Sequence, residues 1–236
     1  MKRIYKYSLL MLSAMFLFSC EKETEDISKI TYYCDLTLKG NATELVPLGG
    51  TYNEPGWEAS ENGEDISDAV IVSGTLNTNV AGLYKLTYKV NNSDGFPTIA
   101  TRQVVVADAT PSPLVSGLYT VTGSSYRKVI STGVTVAYGR DFEILIYQLS
   151  PGRFYVSDLF GGWYAQRAGY GAAYEMNSEV KLNADNTFDL VKSHNAGWGD
   201  GMSDFYDASY DPATATISWA PEYVGSYIFY QTITKQ

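Results

Sequence analysis

Alternating hydrophobic and polar positions run through much of the chain and predict an all-β protein. The clearest run is residues 82–90. One face carries Tyr84, Leu86, Tyr88 and Val90, and the other carries Lys85, Thr87 and Lys89, which is the two-residue period of a half-buried strand. Similar short runs recur every 8–12 residues or so between turn residues, as in β-sandwiches. Residues 28–108 are therefore predicted to form one such sandwich.

Several short motifs within this region resemble a known bacterial module. They are Leu48-Gly49-Gly50-Thr51-Tyr52, Pro55-Gly56-Trp57-Glu58-Ala59, Val72-Ser73-Gly74 and Thr101-Arg102-Gln103-Val104-Val105-Val106. Together they resemble the bacterial immunoglobulin-like domain related to the Cry22Aa-type (DUF5011) repeat. The resemblance implies an immunoglobulin-like fold and a spacer or adhesive role, and it implies no chemistry.

A second unit follows a short linker. Residues 109–113 contain two prolines among small side chains, a composition that stops regular structure and gives a semi-rigid connection. Residues 114–236 then hold 13 of the 20 tyrosines and 3 of the 4 tryptophans. Strand-like runs such as Phe142–Leu149 and Tyr227–Thr234, separated by turn sequences, predict an antiparallel β-sandwich or barrel.

This second unit also carries recognisable landmarks. They include Gly117-Leu118-Tyr119-Thr120-Val121, the run Phe154 to Gly162, Leu182-Asn183-Ala184-Asp185-Asn186-Thr187 and Tyr210-Asp211-Pro212. They resemble the C-terminal, DUF5012-like β domain of the BT2262-like lipoproteins of Bacteroidetes. The resemblance implies an exported lipoprotein whose companions often include outer-membrane glycan importers, and thus a place in polysaccharide capture.

The N-terminus reads as a lipoprotein export signal. Three cationic residues precede an apolar run over residues 7–18, and Ser19-Cys20 follows. Because this run is shorter than the roughly 20 residues that span a bilayer, residues 1–19 are predicted to be a cleaved signal peptide. Cys20 would be lipidated, and residues 20–27 would form an acidic tether. These features predict an outer-membrane lipoprotein that faces the cell exterior; the alternative is an ordinary secretory peptide with a chance cysteine.

Charge and cysteine content exclude other classes. The net charge of −9 opposes nucleic-acid binding, which needs clustered Lys and Arg to neutralise phosphates. If Cys20 carries lipid, Cys34 is the only remaining thiol. No internal disulfide can then form, and we expect a buried, inert thiol.

Two glycine-flanked aromatic segments are the candidate binding site. Residues 158–164 and 195–201 each combine glycines with aromatic and amide or acidic side chains. Sugar sites use such loops, because a pyranose stacks on an aromatic ring while polar groups bind its hydroxyls. If the loops converge, a platform would form from Trp163, Tyr164 and Trp198, with Asp158, Asn195 and Asp200 at its edge. The alternative is that these aromatics plug the end of the domain.

Catalysis and cofactors have little support in the sequence. The lone His194 has no Gly-x-Ser-x-Gly nucleophile and no His-Glu-x-x-His motif around it. No catalytic residue and no cofactor are expected. Calcium remains an option, because Asp200, Asp204, Asp207 and Asp211 recur at short intervals and carboxylates are calcium ligands. Their spacing does not match an EF-hand loop.

The sequence therefore predicts a non-enzymatic surface lipoprotein that binds oligo- or polysaccharide as an accessory of glycan uptake. A lipid anchor in the outer membrane and an importer complex are its expected partners. The alternative is a structural or protein-interaction subunit of a cell-surface complex. A hydrolase would require two carboxylates facing each other across a cleft.

Overall fold

The computed structural model describes residues 30–236. The predicted signal peptide, Cys20 and the acidic tether lie outside the described residues. The chain forms two β units in sequence, and the all-β prediction is confirmed. Among residues 30–236, no helix has the length and apolar character needed to cross a membrane.

The N-terminal unit is a sandwich of two sheets. One sheet has the strand order β1-β3-β4 and the other has β2-β7-β6-β5. Strand β2 pairs with β7 in parallel, and the other pairs are antiparallel. The strands are β1 Cys34–Leu38, β2 Thr43–Pro47, β3 Trp57–Glu61, β4 Glu64–Asp65, β5 Ile71–Ser73, β6 Gly82–Asn91 and β7 Pro97–Ala107.

The core of this unit follows the alternation seen in the sequence. Leu86, Tyr88 and Val104 are buried between the sheets, while Lys89 on the other face of β6 is exposed. Arg102 is also fully buried. Its guanidinium donates to the carbonyls of Lys39 and Asn41, both at 2.6 Å, and forms an ion pair with Glu54 at 3.1 Å.

Cys34 begins strand β1 and is buried with a free thiol. Desolvation raises the pKa of this thiol, and the nearby carboxylates of Glu61 and Asp35 raise it further. Both effects disfavour the thiolate, so the prediction of an inert cysteine agrees with its surroundings.

The C-terminal unit is one antiparallel sheet of ten strands that curls into a half-barrel. Strand β17 joins its parts, because it pairs with β16 along one edge and with both β9 and β8 along the other. The strands are β8 Gly117–Val121, β9 Tyr126–Val129, β10 Thr135–Ala137, β11 Phe142–Ser150, β12 Arg153–Val156, β13 Met176–Leu182, β14 Phe188–Asn195, β15 Asp204–Asp211, β16 Thr216–Tyr223 and β17 Tyr227–Lys235.

Aromatic side chains fill the interior of the half-barrel. Phe154, Phe160, Trp219 and Phe229 are all buried there. A π-helical turn, Trp163–Arg167, and a short 3-10 turn, Ala172–Tyr174, lie between β12 and β13. These turns bring the candidate site to one end of the interior.

The two units contact each other directly. Val105 and Ala107 of β7 form a buried apolar cluster with Leu145 and Tyr147 of β11. Beside it, the side chain of Gln148 donates to Asp108 Oδ1 at 3.0 Å and to the Thr110 carbonyl at 2.9 Å. The start of the linker is thereby tied to the C-terminal sheet.

Candidate functional site

The first loop of the candidate site is organised by a buried carboxylate. Asp158 is fully buried and accepts hydrogen bonds from the backbone N–H groups of Phe160, Gly162 and Met176, each at 2.9 Å. Burial raises the pKa of Asp158 to about 6, and the three N–H donors act in the opposite direction. The carboxylate therefore ties the loop after β12 to the first residue of β13.

Two consecutive glycines let this loop turn sharply inside the domain. Gly161 and Gly162 have φ values of 59° and 84°, a region that side chains other than glycine rarely adopt. A Cβ at Gly162 would lie 2.7 Å from Cβ of Phe142. The two glycines thus allow the chain to enter the π-helical turn while it packs closely against Phe142.

The second loop is held to the first by hydrogen bonds. The buried Asn195 accepts from the N–H of Trp198 at 2.9 Å and donates to the Glu175 carbonyl at 3.2 Å. The N–H of Gly197 donates to the Ala173 carbonyl at 2.7 Å. A Cβ at Gly197 would lie 2.7 Å from the ring of Tyr174, so glycine permits this close approach.

The two loops bring four aromatic side chains together, Tyr164, Tyr170, Tyr174 and Trp198, which we call the aromatic surface. The Trp198 ring lies 4.8 Å from Tyr164 and 4.9 Å from Tyr174, and Tyr170 lies 5.3 Å from Tyr174. Trp198 is 40% exposed and Tyr170 is 55% exposed, whereas Tyr164 and Tyr174 are half-buried. Solvent therefore reaches part of a continuous aromatic group.

Beneath the aromatic surface the rings continue into the core. Phe160 packs edge-on against Tyr164 at 4.8 Å and against Tyr223 at 4.9 Å. Such contacts fix ring orientation as well as burying apolar area. The aromatic surface is thus supported from below by the core of the half-barrel.

The predicted site residues divide into two groups. Tyr164 and Trp198 meet as neighbours. Trp163 does not join them, because its side chain is only 4% exposed and points into the core, 5.0 Å from Tyr138. For Trp163, the alternative that the aromatics plug the end of the domain describes its environment correctly.

The predicted polar edge also needs correction. Asp158 and Asn195 are fully buried, and their polar atoms bind backbone groups of the loops. They position the aromatic residues and do not line the surface. Asp200 is half-buried; its Oδ2 accepts from the Tyr223 hydroxyl at 2.8 Å, and its Oδ1 is enclosed without a partner.

Residues beyond the predicted platform complete the site. Arg127 of β9 and Arg167 of the π-helical turn both stack over the Trp163 ring, at 4.7 Å and 4.3 Å from its centroid. Arg127 lies far from both glycine-flanked segments, whereas Arg167 lies within the stretch between Tyr164 and Tyr170. The sequence pattern indicates neither contact with Trp163. The glycine-flanked stretch that begins at Asp158 continues in the sequence through Tyr170 and Tyr174, although the predicted platform does not include them.

The described residues contain no group of three His, Cys, Asp or Glu side chains arranged to hold a metal ion. Within the acidic series, Asp211 closes a turn by accepting from the N–H of Ala213 and the hydroxyl of Thr214. Asp204 accepts from the adjacent N–H of Phe205. Two of the four carboxylates that suggested calcium therefore accept local hydrogen bonds, Asp211 in a turn and Asp204 at the start of β15.

Comparisons with known proteins agree with this architecture. A family model for a C-terminal domain matches residues 107–235, and one described as a bacterial surface protein, Ig-like domain, matches residues 36–106. The crystal structure of the lipoprotein BT2262 from Bacteroides thetaiotaomicron is similar, with a TM-score of 0.78 and 42% sequence identity, over 86% of this chain and 100% of that chain. No curated protein sequence matches the chain. None of these descriptions names a catalytic activity.

Proposed function

Because the chain belongs to the BT2262-like family of surface lipoproteins with an immunoglobulin-like domain, we propose that it is a non-catalytic, glycan-binding protein of the cell surface. One observation carries the proposal: two loops that are separate in sequence converge so that Trp198 and Tyr170 are both exposed, with their ring centroids 6.4 Å apart and their planes nearly perpendicular. Exposure of aromatic rings to water does not stabilise a folded domain. Exposed aromatic groups of this kind mark binding sites.

The aromatic surface suits a sugar chemically. The apolar C–H face of a pyranose stacks on an indole or phenol ring, and the phenolic hydroxyls can donate to or accept from the sugar hydroxyls. Each hydrogen bond contributes little because it replaces one to water. The proposed binding is therefore weak at a single site.

The order of the units supports a tethered role. In this proposal, lipid on Cys20 holds the chain at the outer membrane and the acidic tether leads outward. The immunoglobulin-like unit then lifts the half-barrel and its aromatic surface towards extracellular glycan. An outer-membrane importer is the proposed recipient of the captured saccharide.

Affinity electrophoresis against a panel of neutral and acidic polysaccharides tests the proposal. Trp198→Ala and Tyr170→Ala each remove an exposed ring, and we expect retention to weaken about five- to tenfold, since a stacked ring contributes on the order of 1 kcal/mol. Phe96→Ala is the control, because Phe96 is 50% exposed but lies in the immunoglobulin-like unit. Retention that is equal in all three variants would contradict the proposed site.

A protein-interaction role has one observation in its favour. Ile71 and Ile99 flank Lys89 in one cross-strand row, and their side chains are 69% and 57% exposed. Exposed apolar side chains in such a row favour a protein partner on this face. Cross-linking in intact cells, followed by comparison with an Ile71→Ser, Ile99→Ser variant, would reveal a partner that depends on them.

A further inference from the structure

Two arginines beside the aromatic surface have no carboxylate partner. Among the ion pairs within residues 30–236, none involves Arg127 or Arg167. Both guanidinium groups instead stack on the ring of Trp163.

Arg127 is held in a stacked position. Its guanidinium lies 4.7 Å from the Trp163 ring centroid and 4.5 Å from that of Tyr227, and its Nε is enclosed without an acceptor. Aromatic rings cover the guanidinium face, which leaves the in-plane N–H groups as its remaining means of binding. Those groups recognise planar or tetrahedral oxyanions.

Arg167 adds a second guanidinium at the same aromatic ring. It lies 4.3 Å from the same Trp163 ring, and its Nε donates to the Tyr138 carbonyl at 3.2 Å. Its side chain is exposed. Contact with the ring offsets part of the repulsion between the two cations, and a bound anion would offset more of it.

Tyr164 connects the arginines to the aromatic surface. Its ring is 4.8 Å from Trp198, while its hydroxyl lies beside the Arg127 guanidinium. Burial raises the pKa of Tyr164, and Arg127 opposes that rise. The buried carboxylate of Asp158, which lies in the same loop as Tyr164, already accepts hydrogen bonds from three backbone N–H groups.

We propose that the aromatic surface together with Arg127 and Arg167 selects anionic saccharides, in which a sugar ring stacks on Trp198 and Tyr164 and carboxylate or sulfate substituents bind the guanidinium groups. This inference rests on the proposed function and narrows its substrate class. Uronic acids and sulfated sugars share the required chemistry, a pyranose that carries an oxyanion.

Matched pairs of polymers separate charge from sugar recognition. Calorimetry would compare polygalacturonate with its fully methyl-esterified form, and dextran sulfate with dextran, at low and high NaCl. We expect the charged member of at least one pair to bind about tenfold more tightly, and this difference to shrink in high salt because salt screens exposed charges. The pair that shows the difference identifies carboxylate or sulfate.

Single-residue variants test whether the two arginines cause the tighter binding of the charged polymer. Arg167→Gln removes an exposed charge and should weaken binding of the charged polymer about five- to tenfold, with little effect on its neutral counterpart. Lys181→Gln is the control, because it removes one positive charge from an exposed position on β13. It should not change the binding of either polymer. Arg127→Lys keeps the positive charge but loses the planar set of N–H donors, so it should also weaken binding of the charged polymer.

The outcomes distinguish this inference from the proposed function. If the charged and neutral members of each pair bind equally, and Trp198→Ala abolishes the binding of both, the anionic preference is overturned and the proposed glycan binding stands. Charged-polymer binding that survives both Arg167→Gln and Arg127→Lys would also overturn it. No binding of any polymer would overturn both.

Discussion

Asp158 shows how a residue can serve a site without lining it. Its two oxygens accept hydrogen bonds from the backbone N–H groups of Phe160, Gly162 and Met176. Asp158→Asn keeps the shape but turns one acceptor into a donor that faces an N–H group. We expect a loss of about 1–3 kcal/mol in the free energy of unfolding, measured by denaturant titration at pH 7.

The same substitution at an exposed acid provides the comparison. Asp189→Asn, on the solvent side of β14, should leave stability almost unchanged. If Asp158→Asn proved equally harmless, the carboxylate would not be organising the loop.

Glu175 gives a pH-dependent expectation at the residue scale. Burial raises its pKa to about 7, and the nearby Asp158 contributes to the rise. A carboxyl group whose pKa is higher in the folded state favours folding at low pH, and stability falls as the pH rises from the unfolded value of 4.5 towards 7. Glu175→Gln should therefore stabilise the protein at pH 8 by about 1–2 kcal/mol, after allowance for solvent screening.

Thermal unfolding at two pH values checks this expectation. The gain in Tm from Glu175→Gln should be a few degrees at pH 8 and nearly absent at pH 4.5. Glu64→Gln, on the exposed strand β4, is the matched control and should show no such difference. A gain of equal size at both pH values would mean that the charge of Glu175 is not its cause.

At the scale of elements, Gly197 keeps the two loops together. Its φ is not in the left-handed region, so alanine would be tolerated by the backbone, but a Cβ would meet the Tyr174 ring at 2.7 Å and the Ala173 oxygen at 3.0 Å. We expect Gly197→Ala to push the second loop away from the first. Glycan retention should then fall as far as in Trp198→Ala, measured by affinity electrophoresis.

A glycine without such a contact serves as the control for this element. At Gly82 on β6 a Cβ would meet nothing closer than 3.6 Å, and its φ is also outside the left-handed region. Gly82→Ala should leave retention unchanged. Full retention in Gly197→Ala would show that the aromatic surface does not depend on how closely the loops approach each other.

Elements differed in how far they could be predicted from sequence. Phe142–Leu149, apolar on both faces, indicated a central strand, and β11 does lie between β8 and β12. Strand β15 was missed because its sequence is acidic and a bulge near Asp207, where φ is 50°, interrupts its two-residue period. Its aspartates suggested calcium ligands instead of a strand.

The candidate site was harder to predict, for a local reason. Trp163 and Tyr164 are adjacent in sequence, yet the first is buried and the second contacts Trp198 on the aromatic surface. A π-helical turn determines which side chain faces inward, and neither composition nor strand periodicity specifies such a turn. The convergence of the loops depends likewise on long-range contacts through Asn195.

At the scale of the whole molecule, the two units are joined by more than a linker. The apolar cluster of β7 and β11, and the hydrogen bonds from Gln148 to Asp108 and Thr110, restrict their relative orientation. Gln148→Ala removes those bonds. We expect a broader distribution of interdomain distances, seen in small-angle X-ray scattering as a larger maximum dimension.

Gln166→Ala is the control, because this glutamine lies in the C-terminal unit away from the linker. It should leave the scattering profile unchanged. An unchanged profile in Gln148→Ala would show that the apolar cluster alone maintains the orientation.

The thiol of Cys34 offers a way to time the opening of one unit separately from the other. It is the only free cysteine within residues 30–236 and lies buried in β1. A thiol reagent can react with it only when β1 separates from its neighbours, because burial both hides the sulfur and disfavours the thiolate. The labelling rate of Cys34 therefore reports local unfolding of the immunoglobulin-like unit. It requires no introduced probe, and the half-barrel that carries the aromatic surface contributes no signal to it.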